Sequence, residues 1–358
     1  MTLEVIRLRL HNQLLSQSNY SQPAEVVEWL GPVQSQDYAG AKWALAQRLE
    51  DPTTDAAIEK AFNEGKILRT HMMRPTWHFV TPTDICWMLE LTAPRVRVAM
   101  AHMDRQLGLD RAIIKRSNAT LKKALQGNQQ LMRSELGPIL EKAGVSVEGY
   151  RLGQLMGHAE LDGVICSGAR KGKQFTYALL EERAPHARKL QRDEALAELT
   201  RRYFRSHGPA TLQDFVWWSG LTMTDARKGL EAVNSEFEQE VVDDRTYWFA
   251  ASTSGKRRSA RAHLLSSYDE YTVGYRDRSA IFDVSHTGKL SAFRESVLTQ
   301  VILIDGEISG TWKRTIRKSK VTVELAPFTE LTSAHNQAVL AAAHRYGTFL
   351  DLPVEPII

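Results

Sequence analysis

Cysteine is scarce: Cys86 and Cys166 are the only two in 358 residues, each inside a largely apolar stretch and neither part of a His-Cys cluster. A disulfide framework and a zinc site are therefore not expected, and both thiols read as small buried side chains. Long apolar runs are missing too. No stretch approaches the roughly 20 residues that cross a bilayer, and Met1-Thr2-Leu3-Glu4 lacks the charged-then-apolar start of a secretory leader. The expected location is cytoplasmic and nucleoid-associated, with no membrane partner. Net charge is only +4, too mild by itself to name a polyanionic partner.

What is present is ordinary globular composition, 43% hydrophobic and 25% charged, in a chain too long for one core. The basic residues gather in GKRRSAR (Lys256, Arg257, Arg258, Arg261) and WKRTIRKSK (Lys313, Arg314, Arg317, Lys318, Lys320). Such clusters either neutralise phosphates or form solvated faces.

The patterning repeats along the chain. SQPAEVVEWLGP has Pro23 where a first helical turn tolerates it and Gly31-Pro32 where a helix stops, and from Asp37 the apolar Tyr38, Ala41, Leu45 and Leu49 recur at helical spacing. This predicts helix, tight turn, helix, followed by a third helix in TTDAAIEKAFNEG and strands in KILRTHMMRPTWHFVTP. The second round runs through RSELGPILEKAGV, capped by Ser134 and stopped at Gly144, then EGYRLGQLMGHAELDG and the strand-turn-strand VICSGARKGKQFTYALL. The third is GPATLQDFVWWSGLTMTDARKGLEAV, with Thr211 and Thr224 as caps, Gly220 as a stop and EVVDDRTYWFA as its strand. From His263 the texture becomes short apolar segments with a hairpin corner at DGEISG, ending in the helix TSAHNQAVLAAAHRYGTFL. The expected architecture is α+β: three tandem winged helix-turn-helix units (1–105, 106–186 and 187–262) and a C-terminal β-barrel with a closing helix (263–358).

Four segments, GPVQSQDYAGAKWALAQR, THMMRPTWHFV, LLSSYDEYTVGYRDR and VILIDGEISGTWKR, occur in an order that resembles the AlkZ-type winged-helix DNA glycosylases. The resemblance spans nearly the whole chain. It implies that three winged helices and a barrel form a C-shaped clamp on duplex DNA, and that the activity is excision of alkylated purines, with interstrand crosslinks unhooked by some members. The family signature is Gln, an aliphatic residue, Gln, with a sister branch carrying Asp in the last position. Gln34 and Gln36 match the two-glutamine branch, while Ser35 stands where an aliphatic residue is usual. Without the resemblance, Gln-Ser-Gln before a helix reads as turn and cap chemistry.

A carboxamide does not titrate near neutral pH, so Gln34 and Gln36 can hold a water and aim dipoles but cannot serve as general bases. The substrate must bring its own reactivity. A purine alkylated on its imidazole nitrogen does so, because it is cationic and departs neutral. Asp37 beside the pair reads as a helix cap, or else as a negative field. Arg69, His71 and Met73 share one face if the strand extends to Met73, and Pro75 interrupts the ladder there. Arg74 at that corner is placed for a phosphate, and His78 with Trp77 borders the lesion. The DNA-binding candidates are thus Arg69, Arg74 and His78, joined by Arg276, Arg278, Lys313 and Arg314 from the C-terminal part. Asp269 and Glu270 read as structural acids in an internal salt-bridge network with Arg276 and Arg278. No metal ligands converge, no cofactor is implied, and no lysine stands out as a Schiff-base nucleophile. The expected activity is that of a monomeric, monofunctional DNA glycosylase hydrolysing the N-glycosidic bond of cationic alkylpurines in duplex DNA, as in base excision repair. The alternatives are a winged-helix transcriptional regulator that reads base edges through glutamine and a catalytically inactive damage sensor.

Overall fold

The computed structural model describes residues 2–251, 261–282 and 299–357; Lys256, Arg257 and Arg258 lie outside the described residues. Helix α1 (Thr2–Asn12) is followed by α2 (Pro23–Leu30), β1 (Val33–Gln34), α3 (Tyr38–Ala46), α4 (Asp55–Asn63), β2 (Leu68–Met72) and β3 (Thr76–Val80), the strands ordered β1-β3-β2. The long α5 (Ile85–Gln106) leads into the same succession: α6 (Arg111–Leu125), β4 (Leu131–Met132), α7 (Arg133–Lys142), α8 (Arg151–Leu161), β5 (Ile165–Ser167) and β6 (Thr176–Leu179), ordered β4-β6-β5. After the one-turn α9 (Leu180–Arg183), a third pass runs α10 (Arg192–His207), α11 (Leu212–Ser219), α12 (Met223–Val233), β7 (Glu238–Val242) and β8 (Arg245–Phe249). Its first strand is reduced to a single bridge between Ala210 and Trp248. The remainder is β9 (Ala262–Leu265), α13 (Glu270–Val273), β10 (Val301–Ile304), β11 (Glu307–Ile316), β12 (Val321–Pro327), α14 (Ser333–Leu350) and β13 (Val354–Ile357).

Local chemistry sets these boundaries. Pro23 opens α2, and Gly31 at φ 81° ends it. The chain then does not make the expected tight turn: Val33 and Gln34 pair with Phe79 and His78 of β3, so Gln34 belongs to a sheet. Thr211 caps α11 and Gly220 closes it in the left-handed region, as the sequence predicts. Thr222, rather than Thr224, caps α12 by accepting from Asp225 N. Helix α7 begins at Arg133, where Glu135 reaches back to Met132 N at 2.6 Å, and Ser134 falls within the first turn.

The C-terminal strands form an open sheet among the described residues, ordered β13-β12-β11-β10-β9, where a barrel was expected. Helix α14 carries the chain back so that β13 pairs in parallel with β12, leaving β9 and β13 as the two edges. The hairpin corner does form: Asp305 and Gly306 both adopt positive φ between β10 and β11.

Four apolar cores hold the described residues together. In the first, Val33, Trp43, Phe62 and Phe79 pack with Leu264, Trp312 and Tyr346 from the C-terminal part. In the second, Leu68, Met72 and Val80 join Trp87, Tyr203, Phe215, Trp218 and Tyr275. The third stays within the second pass, and the fourth joins Ile6 to Leu265, Tyr271 and Val301. The β1-β3-β2 sheet therefore lies between two cores, its alternate residues facing opposite ways. Helix α8 is buried from Leu155 to Leu161 and packs on α5 and β2.

A buried ion pair crosses these layers. Arg48, just beyond α3, meets Asp269 through Nη1 at 2.9 Å and Nη2 at 2.7 Å, and also bonds Ala44 O, Gln13 O and Gln13 Oε1. Both side chains are essentially inaccessible, at 1% and 0%. Removing one partner leaves the other charge buried and unpaired. Arg48→Met should cost about 3–5 kcal/mol in urea unfolding, and Arg48→Met with Asp269→Asn should cost less than the sum of the two single changes; additive losses would refute the coupling.

Candidate active site

Gln34 is held at both ends. Its backbone N–H donates to Glu270 Oε1 at 2.9 Å, and its side-chain Oε1 accepts from Arg74 Nη2 at 3.0 Å. A guanidinium can only donate, so the carboxamide oxygen faces Arg74 and the Nε2 hydrogens are left for another acceptor. The residue is 6% exposed. Next, Ser35 N donates to Trp77 O at 2.8 Å, while Ser35 O accepts from Arg69 Nε and Nη2 at 3.2 and 3.0 Å. Two residues beyond Gln34, Gln36 is exposed, and its amide makes no hydrogen bond among the described residues. The strand ends at Gln34, so one glutamine is fixed in the sheet and the other is free in the bend that follows.

The helix that follows fixes Asp37 as a cap. Its Oδ1 accepts from Gly40 N at 3.0 Å, and a Cβ on Gly40 would sit 2.6 Å from the other carboxylate oxygen. Arg314 Nη2 stands 3.8 Å from that second oxygen.

Behind Gln34, Glu270 is buried and its carboxylate is surrounded by donors: Gln34 N, Trp218 Nε1 at 2.9 Å and His207 Nε2 at 3.3 Å. Burial pushes its pKa up, but the bonds from His207, Gln34 and Trp218 outweigh this and keep it below the ordinary value, so it is ionised. Burial lowers the pKa of His207, with Glu270 opposing. His78 is 1% exposed, its Nδ1 lies 3.0 Å from Thr76 O, and burial followed by the charge of Arg74 lowers it to about 3. It is a neutral, packed ring at neutral pH.

Arg69 is equally enclosed, at 7% exposure, with its guanidinium 4.5 Å from the centre of the Trp77 ring and 4.7 Å from that of Phe175. It supports the glutamine segment from behind, and burial lowers its pKa to about 10. His71 shares that face and meets Trp77 and the Glu160 carboxylate, whereas Met73 has left the strand at φ 60°. Arg74 occupies the corner as expected. Arg278 donates Nε to Thr272 O at 2.7 Å, and both Arg74 and Arg278 lie close to the Trp217 ring. Arg276 and Lys313 are exposed. The expected network between Asp269 or Glu270 and Arg276 or Arg278 does not form; the acids turn inward, to Arg48 and to Gln34. Nothing local in the sequence announces the Glu270 contact, which spans 236 positions. Trp217 was legible in principle, since consecutive tryptophans on an amphipathic helix cannot both face the core: Trp218 is 1% exposed and Trp217 43%.

Residues 27–349, which include every residue of this site, match the family described as DNA glycosylase AlkZ-like. The chain belongs to the AlkZ-like DNA glycosylase family. The solved structure of the Streptomyces sahachiroi DNA glycosylase AlkZ superposes with a TM-score of 0.79, covering 99% of each chain at 20% sequence identity. At that identity the likeness establishes the mixed α+β fold over the full length. No curated protein matches the sequence. Among the described residues no group of three or more His, Cys, Asp or Glu could hold a metal, and no helix is long and apolar enough to cross a membrane.

Buried His78 gives the stability of this AlkZ-like chain a definite pH dependence. The folded state keeps His78 neutral below the ordinary value of 6.5, so its contribution is complete above that pH and is lost as pH falls toward about 3. Unfolding free energy measured between pH 6 and 4 should drop, and His78→Asn should flatten the slope by up to about 1.4 kcal/mol per pH unit. An unchanged slope would mean that His78 titrates normally.

Proposed function

We propose that this protein is a monofunctional DNA glycosylase that hydrolyses the N-glycosidic bond of cationic alkylated purines in duplex DNA, acting as a monomer. One observation carries the reading: the acids and the histidine beside the glutamine pair are already committed. Glu270 is occupied by three donors, Asp37 caps α3, and His78 stays neutral. A site of this kind supplies no proton to a leaving group, which suits a base that leaves unaided.

In the proposed reaction the C1′–N bond breaks with its electron pair moving to the purine, which departs neutral. Water then adds to the oxocarbenium-like sugar and loses its proton to solvent. Gln34, clamped by Arg74, donates an Nε2 hydrogen to the oxygen of that water; Gln36 turns its amide oxygen toward the water and the sugar cation. This is positioning and electrostatic stabilisation without general base catalysis.

The repeated element order, with strands arranged first-third-second, supports reading each pass as a winged helix. Because α8 is buried against α5 and β2, the second pass serves in this reading as scaffold. Exposed Arg276 and Lys313 meet the DNA backbone, with Arg314 beside Asp37 at the rim.

Base release from a duplex carrying one N7-methylguanine, read by alkali cleavage at the abasic product, tests this. Gln34→Ala and Gln36→Ala should each lower the single-turnover rate about 10²-fold, the scale of one preorganised polar contact, with duplex affinity retained. Strands should remain intact without alkali. If wild type releases neither this base nor a bulkier N3- or N7-alkylpurine yet binds duplex, the protein is a damage sensor or a regulator.

The same commitment of titratable groups sets the pH profile. His78 and His207 are both held below the ordinary histidine range and Glu270 below the ordinary carboxylate range. The single-turnover rate should therefore vary less than about threefold between pH 6 and 8.5, where a general base would impose a tenfold change per unit. A sloping limb in that window would reveal a titrating group in the reaction.

A further inference from the structure

Beside Gln34 two arginines converge without an ion pair of their own among the described residues. The Cζ atoms of Arg74 and Arg278 lie 5.6 and 5.7 Å from the ring centre of Trp217. Neither makes an ion pair among the described residues, and Arg74 Nε and Arg278 Nη2 are buried atoms with no hydrogen-bond partner. The surrounding acids are engaged elsewhere. Asp214 accepts from the backbone of Arg276 and Asp277 through Oδ1 and from Thr211 through Oδ2; Asp277 accepts from Ser279 N and pairs with Arg245; Glu270 is occupied as described. Burial lowers the pKa of both arginines and the charge of Arg74 lowers that of Arg278 further, while Glu270 opposes at Arg74 and Asp214 and Asp277 oppose at Arg278. Two enclosed cations with unsatisfied N–H groups need an anion.

Trp217 completes the arrangement. Its indole N–H is already donated to Val273 O at 3.2 Å, so the exposed part of the ring offers only apolar surface. Aromatic surface next to paired guanidinium groups suits a nucleotide, with sugar or base on the ring and phosphate on the cations. Arg74 also holds Gln34 Oε1, which puts the seat within one side chain of the glutamine pair.

We infer that Arg74, Arg278 and Trp217 form the seat for one backbone phosphate and its sugar immediately beside the damaged nucleotide. The inference rests on the DNA substrate proposed above. A phosphate there bonds Nη1 of Arg74 and of Arg278, which carry no hydrogen bond among the described residues and, unlike Arg74 Nε and Arg278 Nη2, are not shut off from solvent, and Trp217 packs against the adjoining sugar. Damaged DNA is thereby registered relative to Gln34 through a contact indifferent to sequence.

The test is binding, so that it does not depend on base release. Fluorescence anisotropy on a duplex carrying a tetrahydrofuran abasic analogue is recorded across salt for wild type, Arg278→Ala, Arg278→Lys and Trp217→Ala. Arg278→Ala should reduce the slope of log K against log salt by about 0.9, one lost phosphate; Arg278→Lys should keep it; Trp217→Ala should weaken binding about tenfold with the slope unchanged. In wild type, neutral methylphosphonate linkages walked past the analogue should cost about tenfold at one adjacent position. At that position Arg278→Ala should lose nothing further. Wild-type slope in Arg278→Ala, or methylphosphonate and Arg278→Ala losses that multiply at every linkage, would overturn the seat. Arg278→Gln, which keeps a donor for Thr272 O, gives the same reading should the alanine variant fail to fold. Normal base release with a wild-type slope in Arg278→Ala rejects the seat alone, whereas the expected binding pattern without base release rejects the glycosylase reading alone.

Discussion

A buried carboxylate that takes the backbone N–H of Gln34 positions everything else at the site. Glu270 lies on a one-turn helix whose preceding residue, Asp269, is locked to Arg48, so two consecutive acids reach two different segments of the first pass. An isolated buried charge is costly, and such a pair is tolerated only when every carboxylate oxygen finds a donor. Here each does: Glu270 receives Gln34, Trp218 and His207, and Asp269 receives Arg48 and its own helix through Tyr271 N. The first pass, the third pass and the C-terminal sheet thus meet at one short helix, and any slip in their arrangement would strand a charge.

That constraint explains the unequal treatment of the two glutamines. Position 34 is pinned through its backbone by Glu270, through its side chain by Arg74, and through the following carbonyl by Arg69. Position 36 stands just before Asp37, the cap of α3, and remains at the surface. In the proposed reaction a fixed amide and a free one, two residues apart, leave one group preorganised and the other able to meet substrates of different bulk. Preorganised dipoles act without reorganising during reaction, which is where their advantage over solvent water lies.

Much of this was legible in the sequence where the signal is local. Helical spacing, the Thr211 cap, the Gly220 stop, the Asp37 cap and the Asp305-Gly306 corner each follow from residues within one turn of each other. The failures share a cause as well. Val33–Gln34 reads as a turn because two residues are too few to show strand alternation, and only pairing with β3 makes them a strand. The open C-terminal sheet depends on β13 returning after α14, a pairing no periodicity encodes. Arg69 looks like a surface group by type and is buried because the second pass packs its Phe175 and Ser167 over that face of the sheet; His78, on the opposite face with Gln34, is buried on the side of the second core. Glu270 is the extreme case, since its partner lies 236 residues away.

The electrostatics also account for the residue type at each position. A carboxylate at position 34 would lie next to ionised Glu270 in a water-poor site, and the like-charge repulsion would raise its pKa or bind it tightly to Arg74. Either outcome removes a free polar group from the substrate side, so a neutral side chain with both donor and acceptor is the one that fits. Position 36 is under no such restriction, because it is exposed and water screens any charge placed there. The sister branch of the two-glutamine signature that the sequence resembles carries Asp at this second position, while the first stays glutamine. Charge tolerance at the exposed position and intolerance at the buried one follow from the single placement of Glu270, and they turn a sequence signature into a statement about local solvation.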